Sequence, residues 1–147
     1  MDRFWRGIGR AVRLPWRDLA ESVVVVVVAA LVELGVHTMR LPRLAQLAGA
    51  PLDLGHGVPA PMDDPLPHWA LRRLDIVNAV MRHWPLNNMC LRRSLVAGHR
   101  LRKLHPTLRV GVSRDGRVLQ AHAWLEIDGR YFDAGASSYQ TVVLLSR

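Results

Sequence analysis

The sequence predicts an α+β fold in which helices come first along the chain and pack on a small antiparallel sheet. Apolar residues recur at helical spacing in the first part of the chain, and from residue 108 onward they alternate with polar residues as in strands. Pairs such as Asp128-Gly129, which favour tight hairpin turns, separate the alternating runs. With 147 residues, half of them hydrophobic, the chain is long enough to bury one core, and we expect a single domain over residues 1–147.

Helices are expected in the N-terminal part of the chain, residues 1–50. The first covers 16–40, with Asp18 as a possible N-cap, and Pro42 ends it; a short helix follows over 42–49. Six consecutive valines inside the first helix favour a strand by intrinsic propensity, but the apolar pattern around them is too long for a usual strand.

The second part, residues 69–147, holds the candidate catalytic residues and follows a loop at 49–68. This loop is rich in Gly and Pro and is long for a compact domain. The predicted elements are a helix over 69–83, a helix from near Met89 that Pro106 closes, and strands over 108–113, 118–127 and 130–134. Turns are expected at Asp115-Gly116 and Asp128-Gly129.

Charge and cysteine content limit the class of protein. A formal charge of +8 suits an acidic peptide, a nucleic acid or an anionic membrane, and a solvated basic surface explains it equally well. No aromatic–basic RNA motif or recognition-helix pattern is visible, so we expect no nucleic-acid partner. The single cysteine allows no intramolecular disulfide and suits a reducing cytoplasm, where we expect the protein to act.

The N-terminus has the look of a targeting segment, since five arginines precede an apolar run that ends at Val32. Acidic residues flank this run, and the uncharged stretch from Ser22 to Val32 is shorter than the roughly 20 residues that span a bilayer. We therefore expect a buried core helix. Peripheral membrane contact through Trp5 and Trp16 is compatible with the sequence but not expected.

Cys90 is the candidate nucleophile. It stands at the start of a predicted helix, where free backbone N–H groups and the helix dipole stabilise a thiolate. A catalytic thiol needs a base, and His122 stands in the middle of a predicted strand. The other six histidines fall in helices, in the loop or at helix ends and show no metal-ligand spacing, so we expect no metal and no cofactor.

The Asp128-Gly129 hairpin identifies a third residue. In a two-residue hairpin Trp124 opposes Asp133, which makes Asp133 the diagonal neighbour of His122. Glu126 lies about 13 Å from His122 along the strand, and Asp128 about 20 Å, at ~3.3 Å per residue. Asp133 is therefore the candidate to orient His122.

Alternation gives the hairpin a polar and an apolar face. The polar face is expected to hold His122, Trp124, Glu126, Tyr131 and Asp133, with Trp124 and Tyr131 as candidate substrate-binding residues. The apolar face suits the core and is expected to hold Leu119, Ala121, Ala123, Leu125, Ile127, Phe132 and Ala134.

These residues predict a mechanism. His122, oriented by Asp133, takes the proton from Cys90, and the thiolate attacks a peptide carbonyl. The backbone N–H of Cys90 could supply half of an oxyanion hole. Three upstream residues are unranked candidates for the second donor: Trp84, Asn87 and Asn88.

Two segments carry a resemblance to a known family. Cys90-Leu91-Arg92-Arg93-Ser94-Leu95, followed by His122-Ala123-Trp124-Leu125-Glu126-Ile127-Asp128-Gly129, resembles the leader peptidases of lasso-peptide biosynthesis, which belong to the transglutaminase-like cysteine proteases. The resemblance is strongest over residues 84–135. It implies a papain/transglutaminase-like core, and it assigns the family's Cys, His and Asp to Cys90, His122 and Asp133.

The resemblance also implies a pathway. Its members remove the leader from a ribosomally made precursor peptide and expose an amine, which an ATP-dependent, asparagine-synthetase-like cyclase joins into a macrolactam. Because residues 1–50 are predicted to be helices, the chain looks too short for a fused leader-recognition module. It therefore resembles the split form, which needs a separate recognition protein.

Two other functions remain open at this point. An acyltransferase could use the same three residues, because such chemistry serves transfer as well as hydrolysis. A non-catalytic basic module could instead dock on nucleic acid or on an anionic membrane.

Overall fold

A computed structural model describes residues 16–55, 60–61, 64–86, 89–115, 118–131 and 140–141. Its elements in chain order are α1 (Trp16–Thr38), α2 (Leu41–Leu47), β1 (Ala60–Pro61), α3 (His68–Arg82), α4 (Met89–Arg100), a 3₁₀ turn (Arg102–Leu104), β2 (Thr107–Asp115), β3 (Val118–Ile127), β4 (Arg130–Tyr131) and β5 (Gln140–Thr141). The order of helices and strands is the α+β arrangement that the sequence predicts.

The sheet is built on the long antiparallel pair β2 and β3, and its strand order is β1-β4-β3-β2-β5. The two outer strands are two residues each, and β1 runs parallel to β4. Asp115 pairs with Val118, and residues 116–117 between them lie outside the described residues. The predicted turn at Asp115-Gly116 therefore falls partly outside them.

The β3–β4 hairpin has the predicted register where it is described. Glu126 pairs with Tyr131, and Ile127 pairs with Arg130. The two turn residues between them, Asp128 and Gly129, have φ angles of 52° and 73°, the left-handed pair that a type I′ turn requires. The rest of the predicted strand over 130–134, with Asp133, lies outside the described residues.

Helix α4 lies at the centre of the fold and contacts α1, α3, β2 and β3. Leu95 and Val96 on α4 are fully buried and pack in one core cluster with residues of α1, α3 and the sheet. Close approach is required at Gly98, where a Cβ would lie 2.6 Å from the Cβ of Ala50. On the apolar face of the hairpin Ala123, Leu125 and Ile127 are buried in the protein interior. Ala121 is exposed, so burial of this face begins between Ala121 and Ala123.

Helix α1 buries one face and exposes the other. The buried face carries Val25, Val28, Ala29, Val32 and Gly35. The expectation of a buried core helix is therefore right for one face and wrong for the opposite one. Asp18 lies within the first turn and forms an ion pair with Arg72, rather than capping the helix. By length and composition alone, α1 is the one helix in the described ranges that could cross a membrane, and 28% of its most apolar window is buried.

Two parts of the predicted loop at 49–68 join the sheet. Leu52 forms a parallel bridge with Leu108, and the backbone N–H of Asp53 donates to the Leu108 carbonyl. Ala60 and Pro61 form β1 beside β4. This segment therefore packs along two strands of the candidate site.

Candidate active site

Cys90 is the second residue of α4 and is partly exposed, as a nucleophile must be. The helix begins at Met89, where the sequence predicts it. Residues three, four and seven positions further along a helix lie on the same face. Arg93, Ser94 and Ala97 therefore share the face of α4 that carries Cys90.

Ser94 joins this face of α4 to β3. Its buried Oγ donates a hydrogen bond of 3.0 Å to the backbone carbonyl of Ala123, the residue next to His122. Cys90 lies about 6 Å from Ser94 along the helix axis, at 1.5 Å per residue. The helix turn that carries the thiol is thus held beside the strand that carries the imidazole.

His122 lies in the middle of β3 and is half-buried. Its partner across the sheet is Gly111 on β2, so no cross-strand side chain crowds the imidazole from that position. On its own strand the ring stacks with the Trp124 indole, with centroids 6.1 Å apart and planes inclined by 21°. The Trp124 indole therefore limits rotation of the His122 ring on the side where the two rings stack.

A series of hydrogen bonds through Glu126 and Arg109 holds Trp124 in place. Only 1% of the residue is exposed, and its Nε1–H donates to Oε1 of Glu126 at 3.1 Å. Oε2 of Glu126 accepts from Nε of Arg109 at 3.0 Å, and Glu126 is 4% exposed. The indole thus supports His122 from a buried position, and the role of Trp124 in substrate binding stays a prediction.

Arg109 connects these hydrogen bonds to the segment before β1. Its guanidinium donates to the carbonyl of Gly55 at 2.8 Å and lies 3.2 Å from the carboxylate of Asp53. Sequence reasoning assigned no role to Arg109 or to Ser94. Each lies on an element that the sequence predicts, but the partners are 17 and 29 residues away, beyond the range of local patterns.

The remaining candidate residues from the sequence are Tyr131, Asp133, Asn87 and Asn88. Tyr131 is half-buried and pairs with Glu126 across the hairpin, so its role in substrate binding stays a prediction. Asp133, Asn87 and Asn88 lie outside the described residues, and their roles stay predictions as well.

Trp84 packs against the core rather than at the start of α4. Its buried Nε1 makes no hydrogen bond of normal geometry to a described residue. The indole lies close enough to Glu33 on α1 to help lower the pKa of that carboxyl, for which the main cause is the hydrogen bond from Arg92. Arg92 and Cys90 are on opposite faces of α4, so this position weighs against Trp84 as an oxyanion donor.

A cleft of about 460 Å³ opens along the same face of α4 as Cys90. It lies between α3, α4 and β3. Its polar lining includes Asp64, Asp75, Asn78, Arg93 and Ser94, and its apolar lining includes Leu66, Leu71, Leu74 and Trp124. A groove of mixed chemistry that starts one helix turn from the thiol suits a peptide chain.

No group of three His, Cys, Asp or Glu side chains that could hold a metal ion occurs in the described ranges.

A thiol at the start of a helix that is bonded to a histidine-bearing strand is an arrangement that α+β cysteine enzymes use. The chain belongs to the Transglutaminase-like superfamily, whose sequence model matches residues 23–146. Members are typically cysteine proteases or acyltransferases. Searches of curated proteins and of solved structures each found no significant match.

Proposed function

We propose that this protein is a cysteine peptidase that removes the leader from the ribosomally made precursor of a lasso peptide. The observation that carries the proposal is the hydrogen bond from Ser94, one helix turn after Cys90, to the carbonyl of Ala123, the residue after His122. The family match supports a cysteine-based hydrolase or transferase, and the resemblance of residues 84–135 supports leader removal.

The proposed reaction uses three residues in sequence. His122 takes the proton from the Cys90 thiol, and Asp133 holds the imidazole in the required orientation. The thiolate attacks the scissile carbonyl, and the backbone N–H of Cys90 stabilises the oxyanion. His122 then protonates the leaving amine, and water hydrolyses the thioester to restore the thiol.

The cleft beside α4 is the proposed binding site for the peptide. Its walls carry two exposed carboxylates, Asp64 and Asp75, together with Arg93 and the apolar residues of α3. Charged side chains of both signs suit a polar, extended peptide segment, and the apolar floor suits one or two anchoring side chains. The Trp124 indole forms part of the wall and keeps His122 in place.

The proposed pathway places the protein in the cytoplasm, between precursor synthesis and ring closure. A separate protein recognises the leader and presents the precursor, and an ATP-dependent cyclase consumes the amine that cleavage exposes. The single cysteine suits a reducing compartment.

The test uses the purified chain, a candidate precursor peptide and its recognition protein, with products identified by mass. Wild-type protein should release the leader, and Cys90→Ala should not. The matched control is His83→Ala, an exposed histidine at the end of α3, which should keep wild-type cleavage. Equal cleavage by Cys90→Ala and wild type would exclude Cys90 as nucleophile.

Two further measurements separate the alternatives. Because Cys90 is the only cysteine, alkylation by iodoacetamide reports on this thiol alone, and a bound precursor should slow it. Addition of primary amines should leave the free leader acid as the main product of a peptidase. An amide product at low amine concentration would identify an acyltransferase instead.

A further inference from the structure

The outer face of α1 is the largest apolar surface that the proposed function leaves without a role. We define it as the side opposite the buried valines. Eight large apolar residues on it are between 39% and 74% exposed: Trp16, Leu19, Val23, Val24, Val26, Val27, Leu31 and Leu34. Soluble proteins rarely expose a continuous apolar surface of this extent unless it binds something.

The acidic residues of α1 are all turned away from this face. Asp18 pairs with Arg72, Glu21 with Arg100, and Glu33 with Arg92. The three arginines come from α3 and α4, so each pair fixes α1 to the rest of the fold. Pairing also neutralises the three carboxylates, and the outer face is left without negative charge.

Positive charge borders the outer face at both ends. At its start the guanidinium of Arg17 lies 5.5 Å from the centroid of the Trp16 ring, and both side chains are exposed. Past its end Arg40 and Arg43 are exposed. An indole and cations at the edge of an apolar surface are typical of proteins that lie at a membrane interface.

The sequence before α1 has the same chemistry, although residues 1–15 lie outside the described part of the chain. Arginines occur at positions 3, 6, 10, 13 and 17, in alternating steps of three and four. Trp5, Ile8 and Val12 stand between these arginines in the sequence. A basic composition with apolar residues interspersed is a second membrane-binding signal, beside the apolar face.

We propose that the outer face of α1, with the exposed arginines that border it, docks this protein on an anionic membrane surface. The helix lies in the plane of the interface, with its outer face among the acyl chains nearest the headgroups. It does not cross the bilayer as an isolated helix, because withdrawal from the fold would break three arginine–carboxylate contacts and uncover Val25 and Val32.

The net charge favours a membrane over a second copy of this chain as the occupant. Each copy carries +8, so two copies would repel one another, whereas anionic lipid attracts every copy. The folded protein shows which side of α1 is exposed, and that side is the one without acidic residues.

The test is co-sedimentation of the full chain with vesicles. Binding is expected to vesicles of phosphatidylcholine with about 30% phosphatidylglycerol and to be much weaker with phosphatidylcholine alone. Raising NaCl from about 0.1 M to about 0.5 M should weaken binding several-fold, because salt screens the arginines. The variant Val27→Glu, in the middle of the outer face, should bind at least about tenfold more weakly, because a carboxylate must then enter the apolar layer.

The matched control is Ala79→Glu, which adds the same charge on an exposed site of α3. It should keep most of the binding. Leu31→Gln tests the same face without a charge, and thermal unfolding of each variant shows that it is folded. Binding that is absent, equal on both vesicle types or unchanged by Val27→Glu would overturn the proposal. A concentration-dependent dimer that Val27→Glu disperses, without vesicle binding, would also overturn it and assign the face to a second copy.

Discussion

The Oγ of Ser94 lies 3.0 Å from the carbonyl oxygen of Ala123 and donates a buried hydrogen bond to it. This contact joins two elements that are 29 residues apart in sequence. Ser94 is one helix turn after Cys90, and Ala123 is the residue after His122. The bond therefore helps determine how the helix that carries Cys90 lies against the strand that carries His122.

Replacing Ser94 with alanine should lower both stability and turnover. Loss of one buried hydrogen bond costs about 1–2 kcal/mol, which corresponds to a decrease in Tm of roughly 3–8 °C for a chain of this size. If the bond also aligns Cys90 with His122, kcat for precursor cleavage should fall by about tenfold or more while KM changes little. The matched control is Ser22→Ala, whose hydroxyl bonds to a carbonyl of its own helix. A Ser94→Ala enzyme with normal kcat and reduced Tm would show that the bond serves stability alone.

Glu126→Gln should destabilise the protein, because it removes the buried one of the two carboxylates that pair with Arg109 and leaves only the half-exposed Asp53 as its anionic partner. Breaking a buried ion pair from one side costs about 3–5 kcal/mol, and the remaining pair with Asp53 should keep the loss below that range, measurable by urea unfolding. The double variant Arg109→Gln/Glu126→Gln should recover part of this loss, since no charge stays buried without a partner. Turnover should fall as well, because Trp124 loses part of its support for His122. Glu33→Gln is the control: it breaks the pair with Arg92 on the far side of α4 and should spare kcat.

Asp133→Asn should reduce precursor cleavage far more than Asp128→Asn. Asp133 is expected to orient His122, and loss of such a carboxylate lowers kcat by up to about 10⁴-fold in enzymes of this chemistry. Asp128 is exposed in the hairpin turn with φ of 52°, a conformation that asparagine also tolerates, so its variant keeps the turn. Steady-state kinetics of the two variants measures the difference. Equal losses would exclude the continuation of the hairpin register to Asp133.

Stability should decrease as the pH falls below about 6.5, through His99. Burial lowers the pKa of His99 in the folded protein, and the nearby cations of Arg102 and Arg100 lower it further. The unfolded chain takes up the proton near the ordinary histidine pKa of about 6.5, whereas the folded protein resists protonation until a lower pH. The free energy of unfolding therefore falls as the pH drops from above 6.5 toward the folded pKa.

Denaturant unfolding between pH 7.5 and 5.5 checks this expectation. His99→Gln should flatten the pH dependence, because glutamine does not titrate. His83→Gln, at an exposed position, should keep the wild-type dependence. An unchanged slope in His99→Gln would exclude His99 as its source.

Some of the site follows from local sequence. Asp128-Gly129 between two alternating runs determines a two-residue hairpin, because few residue pairs adopt two consecutive left-handed conformations without strain. That turn sets the pairing of Glu126 with Tyr131, as the structure confirms. The start of α4 at Met89 is also a local property, and it places Cys90 in the first turn.

The β2–β3 register does not follow from local sequence. Asp115-Gly116 predicts a turn between the two strands but leaves their pairing open, and the structure pairs Arg109 with Trp124. The buried carboxylate of Glu126 is then within reach of Arg109. This register depends on side chains that meet only across the formed sheet.

Local sequence is enough to predict the class of fold, the β3–β4 hairpin and the positions of Cys90 and His122 on their elements, since each depends on residues a few positions apart. The surroundings of these elements depend on tertiary contacts: the Ser94 bond, the Arg109–Glu126 pair and the exposed face of α1. Asp18 and Arg72 are 54 residues apart, and Glu21 and Arg100 are 79 apart. Contacts at such separations form only when the helices pack, and they decide which side of an apolar helix meets the core and which side meets its surroundings.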